Sequence, residues 1–268
     1  MQALAGLLLA AAISYGAYRA GSLTGDGAVA AACLGTVVFA AGGWQAAVML
    51  LAFFITSSLF SQLLRGENAP ATDRYAKGAR RDAGQVRGNG GIAGLWILAQ
   101  AAFPESRLVW LGFAGALAAV TADTWATELG AFSRAAPRLI THLRRSVPPG
   151  TSGAVTILGT AAAAAGASAL AVLAAALMPH SDALTVAAVA AGGMAGSLAD
   201  SLLGASVQCL YFCPKDNIET EQFPVHRCGS ATFRVRGWRW LNNDWVNAAC
   251  GAVGSLVAVV VGLALRTG

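Results

Sequence analysis

The chain has 268 residues, of which 56% are hydrophobic and only 12% are charged, and its formal net charge is +5. Soluble domains carry about 25% charged residues, so this composition excludes an ordinary soluble enzyme and indicates an integral membrane protein. Because a membrane-spanning helix needs about 20 apolar residues, we expect an all-α fold, a polytopic bundle of about eight transmembrane helices with three longer cytoplasmic loops. Residues 1–268 are expected to form a single membrane domain.

Apolar segments and polar connections alternate along the chain. The predicted spans cover residues 3–18, 27–42, 44–64, 90–103, 108–130, 153–178, 183–211 and 245–265. Connections on one face are short, such as Gly42-Gly43, whereas the connections 65–89, 131–152 and 212–244 on the other face are long. Long loops between compact elements are commonly functional, so we expect the site on that face. The 32 glycines predict close helix packing.

Basic residues concentrate on the face with the long loops. They are Arg19, Arg65, Arg74, Lys77, Arg80, Arg81, Arg87, Arg134, Arg138, Arg144, Arg145, Lys215, Arg227, Arg234, Arg236 and Arg239, whereas Arg107 and Arg266 fall on the opposite face. Loops rich in lysine and arginine stay in the cytoplasm. We therefore expect both termini outside the plasma (inner) membrane of a prokaryote, with the active site facing the cytoplasm.

Four carboxylates lie inside or at the edge of apolar segments. They are Asp123, Glu128, Asp200 and Asp244. An ionisable group in hydrocarbon is costly unless it is paired, hydrated or metal-bound, and carboxylate oxygens suit Mg²⁺. We therefore expect these acids to be catalytic and to bind one or two Mg²⁺ ions. Asp123 and Glu128 are about 140° apart on an ideal helix, and salt bridging of Asp200 or helix capping by Asp244 remain alternatives.

Two glycine-rich segments are predicted to bind phosphate. Residues 87–91 (Arg-Gly-Asn-Gly-Gly) open the fourth predicted span, and residues 148–153 (Pro-Pro-Gly-Thr-Ser-Gly) open the sixth. Free N–H groups at a helix start attract anions, and glycine permits close approach. Neither segment has the Gly-Lys-Ser/Thr ending of a Walker sequence, and ordinary turns remain the alternative.

A group of thiols and one imidazole precedes the last span. Its members are Cys209, Cys213, His226 and Cys228. These are zinc-type ligands, but Cys209 is expected within a helix and the spacing is not that of a standard zinc finger. A phosphate contact is the preferred role for His226, and zinc stays the alternative. A disulfide framework is not expected on a cytoplasmic face.

Nine motifs occur in order along nearly the whole chain. They are residues 23–28 (Leu-Thr-Gly-Asp-Gly-Ala), 42–44 (Gly-Gly-Trp), 56–58 (Thr-Ser-Ser), 78–91 around Ala-Arg-Arg-Asp and Asn-Gly-Gly, 122–130 (Ala-Asp-Thr-Trp-Ala-Thr-Glu-Leu-Gly), 150–156 (Gly-Thr-Ser-Gly-Ala-Val-Thr), 200–205 (Asp-Ser-Leu-Leu-Gly-Ala), 226–229 (His-Arg-Cys-Gly) and 242–247 (Asn-Asn-Asp-Trp-Val-Asn). Together they resemble the integral-membrane DUF-type family that includes the plant phytyl-phosphate kinase of tocopherol salvage.

This resemblance implies transfer of a phosphoryl group from a nucleoside triphosphate, CTP by preference, to a prenyl monophosphate such as phytyl phosphate. Such reactions depend mainly on metal ions and basic side chains, which neutralise and position the phosphates. The residues expected to bind the nucleotide and the phosphates are Arg80, Arg81, Arg87, Asn89, Gly90, Thr151, Ser152, Ser201, His226, Asn243 and Asn247. The expected partners are the prenyl phosphate, the nucleotide and membrane lipid, without nucleic acid, and a homodimer is left open.

Two other functions stay open on the sequence. The Ala-Asp-Thr-Trp around Asp123 echoes the Ala-Asp-Ser-Leu around Asp200, and parallel repeats of this kind also occur in ion-coupled transporters and would suit a lipid flippase. A cytidylyltransferase acting on a lipid phosphate would use the same metal and phosphate ligands. The outer halves of both helices carry almost no polar residues, which favours the kinase over transport.

Overall fold

The computed structural model describes residues 2–63, 80–104, 106–178 and 181–267. Within these ranges the helices are α1 (Gln2–Arg19), α2 (Gly25–Leu63), α3 (Ala83–Ala99), α4 (Arg107–Gly130), α5 (Ile157–Leu177), α6 (Ala183–Ser206) and α7 (Asn243–Thr267). The strands are β1 (Arg138–Leu139), β2 (His142–Ser146), β3 (Ala154–Val155), β4 (Leu210–Cys213), β5 (Ile218–Thr220) and β6 (Phe233–Arg236). The predicted basic residues Arg65, Arg74 and Lys77 lie outside the described residues.

Helix α2 consists of two legs joined by a reversal at Gly43, whose φ of 69° and ψ of −165° are not helical. A straight helix of its 39 residues would be about 58 Å long at about 1.5 Å per residue. Gln62, near its end, nevertheless donates a hydrogen bond to Ser22 Oγ at 2.6 Å, just before its start. The legs therefore run antiparallel, which confirms the predicted break between residues 27–42 and 44–64.

Five of the described helices are long and apolar enough to cross a membrane, namely α2, α4, α5, α6 and α7. The mostly helical bundle of a membrane protein is therefore confirmed. The predicted count of eight transmembrane helices is not confirmed, since α1 and α3 fall outside this group.

Helix α3 begins at Ala83 rather than at residue 90 because a capping box forms one residue earlier. Asp82 accepts a hydrogen bond from Gln85 N at 2.9 Å, and the Gln85 side chain accepts one from Asp82 N at 3.2 Å. These bonds satisfy N–H groups that a helix start leaves free. Residues 87–91 consequently lie inside the helix, and the prediction of a phosphate-binding junction there is wrong.

Two three-stranded sheets fold from connections that the sequence analysis treated as loops. β1 pairs with β2 and β3, and β4 pairs with β5 and β6, all antiparallel. The second sheet also shortens the span predicted at 183–211, since α6 ends at Ser206 and the sequence Leu-Tyr-Phe-Cys forms β4. Aromatic residues favour strands. The all-α prediction is therefore corrected to a helical bundle with two small sheets.

Helix α4 is the centre of the bundle. Every residue from 109 to 122 is buried, and the helix packs against α2, α3, α5, α6 and α7. It crosses α6 and α7 at glycines: a Cβ at Gly115 or Gly192 would lie 2.7 or 2.4 Å from the carbonyl oxygen of Gly254. Absent side chains thus let the three backbones touch, as expected for small residues in membrane helices.

Replacement of Gly192 by alanine tests this crossing. Gly192→Ala should lower the free energy of unfolding by about 1–3 kcal/mol, the usual cost of overpacking, because the new methyl meets the Gly254 backbone. Gly16→Ala in α1 is the matched control, since no atom lies within 4 Å of its added Cβ. Reversible unfolding in detergent measures both variants, and equal stability would contradict the crossing.

Candidate functional site

A polar cavity of about 490 Å³ lies where α4 and α6 end, and β3 also lines it. Ten of the residues predicted for the site line it: Arg81, Asn89, Asp123, Glu128, Thr151, Ser152, Asp200, Ser201, Asn243 and Asn247. They come from five separate segments of the chain. The fold thus gathers acids, hydroxyls, amides and a guanidinium in one place.

Two aspartates meet in this cavity because their helices cross one turn earlier. A Cβ at Gly196 of α6 would lie 2.4 Å from the Cβ of Ala119 in α4. Asp200 and Asp123 follow these residues by four positions, which is about one helical turn on the same face. Their carboxylates are close enough that their ionised forms would repel each other. The glycine contact therefore sets the spacing of the two acids.

Asp200 carries an unsatisfied buried oxygen. Its Oδ2 is buried and accepts no hydrogen bond within the part of the chain that the structure describes. Its ionised form would also repel that of Glu221, which lines the same cavity. A buried charge without a partner is strongly destabilising, so this arrangement favours a bound cation. Carboxylate, hydroxyl and amide oxygens line the cavity around it, and such oxygens suit a hard ion such as Mg²⁺.

Glu128 has a different environment from the two aspartates. It accepts a hydrogen bond from Ser61 Oγ at 2.5 Å and interacts with the positive charge of Arg81. Glu128 lines the cavity, where its charge is opposite to that of Arg81. The predicted acids therefore do not share one environment and do not form one cluster.

Arg81 places a buried positive charge at the cavity wall. Its guanidinium donates to Ser58 Oγ at 3.2 Å and lies 5.5 and 5.6 Å from the ring centroids of Phe53 and Phe54. Burial lowers the pKa of Arg81 to about 10, with Glu128 opposing that shift. Since this pKa lies well above neutrality, Arg81 stays cationic and can hold an anion.

Five predicted residues do not line the polar cavity: Arg80, Arg87, Gly90, His226 and Asp244. The Arg80 guanidinium donates to the Leu23 carbonyl at 3.0 and 3.2 Å, and Arg87 Nε donates to the Ala83 carbonyl at 3.1 Å. Arg80 therefore bonds to the backbone of another segment, and Arg87 bonds to the backbone of its own helix.

The other three are held by packing. Gly90 faces Leu34, and the Asp244 backbone lies against Gly88. His226 is buried, with its Nδ1 2.9 Å from Asp216 Oδ2. Their local contacts keep these residues out of the polar cavity.

Three residues of the cavity wall, Gln208, Glu221 and Arg227, were not among the predicted site residues. Ser152 donates to Gln208 Oε1 at 2.6 Å, and Gln208 Nε2 donates to Glu221 Oε1 at 2.7 Å. These bonds join the turn before β3 to the segment after β5. Arg227 also lines the cavity; its position beside His226 was the available signal, whereas nothing in the irregular segment around Glu221 singled that residue out.

Gly153 fits the first of these segments against α6. Its φ is +77°, and a Cβ there would lie 2.3 Å from Ala205 N. Glycine tolerates this left-handed conformation and leaves room for the contact. Thr151 and Ser152 are thereby held at the mouth of the cavity. The predicted phosphate-binding segment at 148–153 precedes β3 rather than opening a helix, and its hydroxyls still line the site.

The fold and the cavity define a class: a helical integral membrane protein with acids and an arginine gathered at one end of its bundle. The family model described as "Integral membrane protein DUF92" matches residues 8–255. The chain belongs to this family of integral membrane proteins, which confirms the identification made from the sequence motifs.

The relatives of the chain span plants and archaea. Protein PGR of Arabidopsis thaliana is 31% identical over 90% of this chain and 89% of its own length. The uncharacterized membrane protein MJ0933 of Methanocaldococcus jannaschii is 31% identical over 89% and 85%. Protein VTE6, chloroplastic, of Arabidopsis thaliana is 26% identical over 89% of this chain and 65% of its own length. No solved structure matches the chain.

Metal titration tests the cation site. Mn²⁺, which can be followed by electron paramagnetic resonance, serves as the probe in place of Mg²⁺. Asp200→Asn should weaken Mn²⁺ binding at least about tenfold, since removing a charged ligand of this kind costs about 1.4 kcal/mol or more. Asp182→Asn is the matched control, because it makes the same change at the opposite end of α6 and asparagine still caps a helix. Equal affinities for the two variants would contradict the site.

Proposed function

We propose that this protein is a Mg²⁺-dependent kinase that transfers the γ-phosphoryl group of CTP to a prenyl monophosphate and so forms a prenyl diphosphate. The observation that carries the proposal is the cavity that places Asp123 and Asp200 near Arg81 and beside a second, apolar cavity. The resemblance of the motifs to the family of the plant phytyl-phosphate kinase supports the substrate class. The basic loops support an active site on the cytoplasmic face, with both termini outside.

Asp123 and Asp200 are the proposed ligands of Mg²⁺, with Ser201, Asn243 and Asn247 completing the polar wall. When bound there, Mg²⁺ would neutralise the charge of the nucleotide phosphates. Arg81 would bind a phosphate of the donor or the acceptor, and Glu128 would hold Arg81 in place through the charge interaction described above. Ser152 and Thr151 would hold nucleotide phosphates at the cavity mouth.

The transfer needs positioning more than acid or base catalysis. A phosphate oxygen of the prenyl monophosphate forms a bond to the γ-phosphorus, the bond from that phosphorus to the β–γ bridging oxygen breaks, and CDP leaves. The acceptor is already ionised at neutral pH, so no general base has to remove a proton. The side chains of the cavity bind and orient the two anions in line.

An apolar cavity of about 310 Å³ gives the prenyl tail a place next to this site. It lies between α1, α2 and the start of α3 and is lined mainly by aliphatic and aromatic side chains. Arg81, Gln85 and Asn89 line both cavities. A prenyl phosphate could therefore lay its tail among the helices while its headgroup reaches Arg81. This shared wall favours a lipid acceptor over a water-soluble one.

A labelling experiment tests the reaction. Purified protein in lipid nanodiscs receives Mg²⁺, a panel of prenyl phosphates and CTP labelled at either the γ or the α phosphorus. We expect γ label in the lipid product and its loss in Asp200→Asn by at least about 100-fold, as for removal of a group that binds the reacting phosphates. Asp182→Asn should keep activity within about threefold, because its surface pair with Arg107 contributes little.

The other outcomes of this experiment would indicate a different function. Appearance of α label in the lipid would identify a cytidylyltransferase. Absence of any labelled lipid with every acceptor would overturn the kinase and direct attention to flux measurements for an ion-coupled transporter or flippase.

Filling the apolar cavity tests where the tail binds. Ala47→Phe should raise the KM for a twenty-carbon prenyl phosphate about tenfold. This change corresponds to about two methylene groups of the tail kept out of the cavity, at about 0.8 kcal/mol each. The KM for a five-carbon prenyl phosphate should stay unchanged. Ala165→Phe, on an exposed face of α5, is the matched control and should alter neither value. An equal change for both chain lengths would place the tail elsewhere.

A further inference from the structure

A second group of ligand-type side chains lies outside the polar cavity, around the turns of the β4–β6 sheet. Its members, here called the thiol–imidazole cluster, are Cys213, Asp216, His226 and Cys228, and their donor atoms all lie within 4.8 Å of one another. None of these four lines the polar cavity. We propose that the thiol–imidazole cluster binds one zinc ion, independently of the function proposed above.

The distances within the cluster suit zinc ligation. The Sγ atoms of Cys213 and Cys228 are 3.5 Å apart. Two thiolates at about 2.3 Å from a tetrahedral zinc ion are about 3.8 Å apart, whereas a disulfide requires about 2.05 Å. His226 Nδ1 and Asp216 Oδ2 are 2.9 Å apart, a little closer than the edge of about 3.3 Å that N and O ligands span around zinc. These two donor pairs therefore need adjustments of only a few tenths of an ångström to accommodate the ion.

Burial within the cluster is graded from one side to the other. Cys213 and His226 are buried, Cys228 is half-buried and Asp216 is exposed. The exposed carboxylate gives an ion a path from solvent to the buried thiol and imidazole. Two thiolates, an imidazole and a carboxylate make four donors, which is the closed coordination of a structural zinc site.

The backbone fixes two of these donors on a tight turn before β6. Gly229 N donates to the His226 carbonyl at 2.8 Å, and His226 N donates to the Ser230 carbonyl at 2.9 Å. Cys213 is fixed on the other side, because it pairs with Ile218 in the β4–β5 hairpin. The donors are thus presented by hydrogen-bonded turns, so little backbone ordering remains to oppose binding of the ion.

The structure replaces one member of the group noted in the sequence. Cys209 is four residues before Cys213, which corresponds to about 13 Å in extended chain. It is buried, and its N–H donates to the Leu241 carbonyl at 2.8 Å. Asp216, in the turn after β4, takes the fourth position instead. This change from a thiol to a carboxylate gives the proposal a specific mutational test.

Zinc content tests the proposal directly. The full-length protein is expressed in zinc-supplemented medium, purified in detergent without chelator and analysed by inductively coupled plasma mass spectrometry. We expect about one zinc per chain in the wild type, as for a closed four-ligand site, and nearly complete loss in Cys213→Ser. Cys209→Ser is the matched control and should keep the wild-type content. Loss of zinc in Cys209→Ser alone, or no zinc in the wild type, would overturn the proposal.

Cobalt substitution gives a second readout, and its measurement on the wild-type protein does not depend on the stability of a variant. Co²⁺ bound to the wild-type protein should show the visible bands of tetrahedral coordination together with thiolate charge-transfer absorption, and Asp216→Asn should shift these bands. Thiol counting under denaturing conditions is run on the same sample. Octahedral spectra, or a count that shows Cys213 and Cys228 joined in a disulfide, would overturn zinc binding.

Discussion

The close approach of two buried carboxylates is the constraint on which the arrangement of this protein depends. The ionised forms of Asp123 and Asp200 would repel each other, and burial of unpaired charge costs several kcal/mol. Packing holds them there: α4 and α6 touch at Ala119 and Gly196, one turn before the acids. Packing thus holds two acids together whose negative charges would repel each other, an arrangement that favours a bound cation over a structural ion pair.

Arg81 is the second organising element, because it separates a polar region from an apolar one. Its main chain forms a bridge with Leu23, its guanidinium bonds to Ser58, and its charge is balanced by Glu128. The residue lines both cavities. An amphipathic ligand, charged at one end and hydrocarbon at the other, matches this division better than a uniformly polar or uniformly apolar one.

The helices of the fold could be predicted from the long apolar runs in the sequence. Features that depend on local geometry or on tertiary pairing could not. Apolar runs located the helices and the break at Gly43, and costly acids in those runs pointed to Asp123 and Asp200. The sheets were missed because strands of two to five residues are too short for a pattern to emerge. Glu221 and Asp216 could not be predicted because only tertiary pairing brings their irregular segments to a site. The early start of α3 depends on the capping box at Asp82, which lies in a polar segment ahead of the apolar run.

The side-chain amide of Gln208 links two separate segments of the polar cavity wall. One end of this side chain is an acceptor for Ser152 and the other a donor to Glu221, so both flanking segments depend on a single rotamer. A change of this rotamer would break both hydrogen bonds at once and release the two segments together. Because Gln208 is buried, this amide is a single internal link on which the position of both segments of the cavity wall depends.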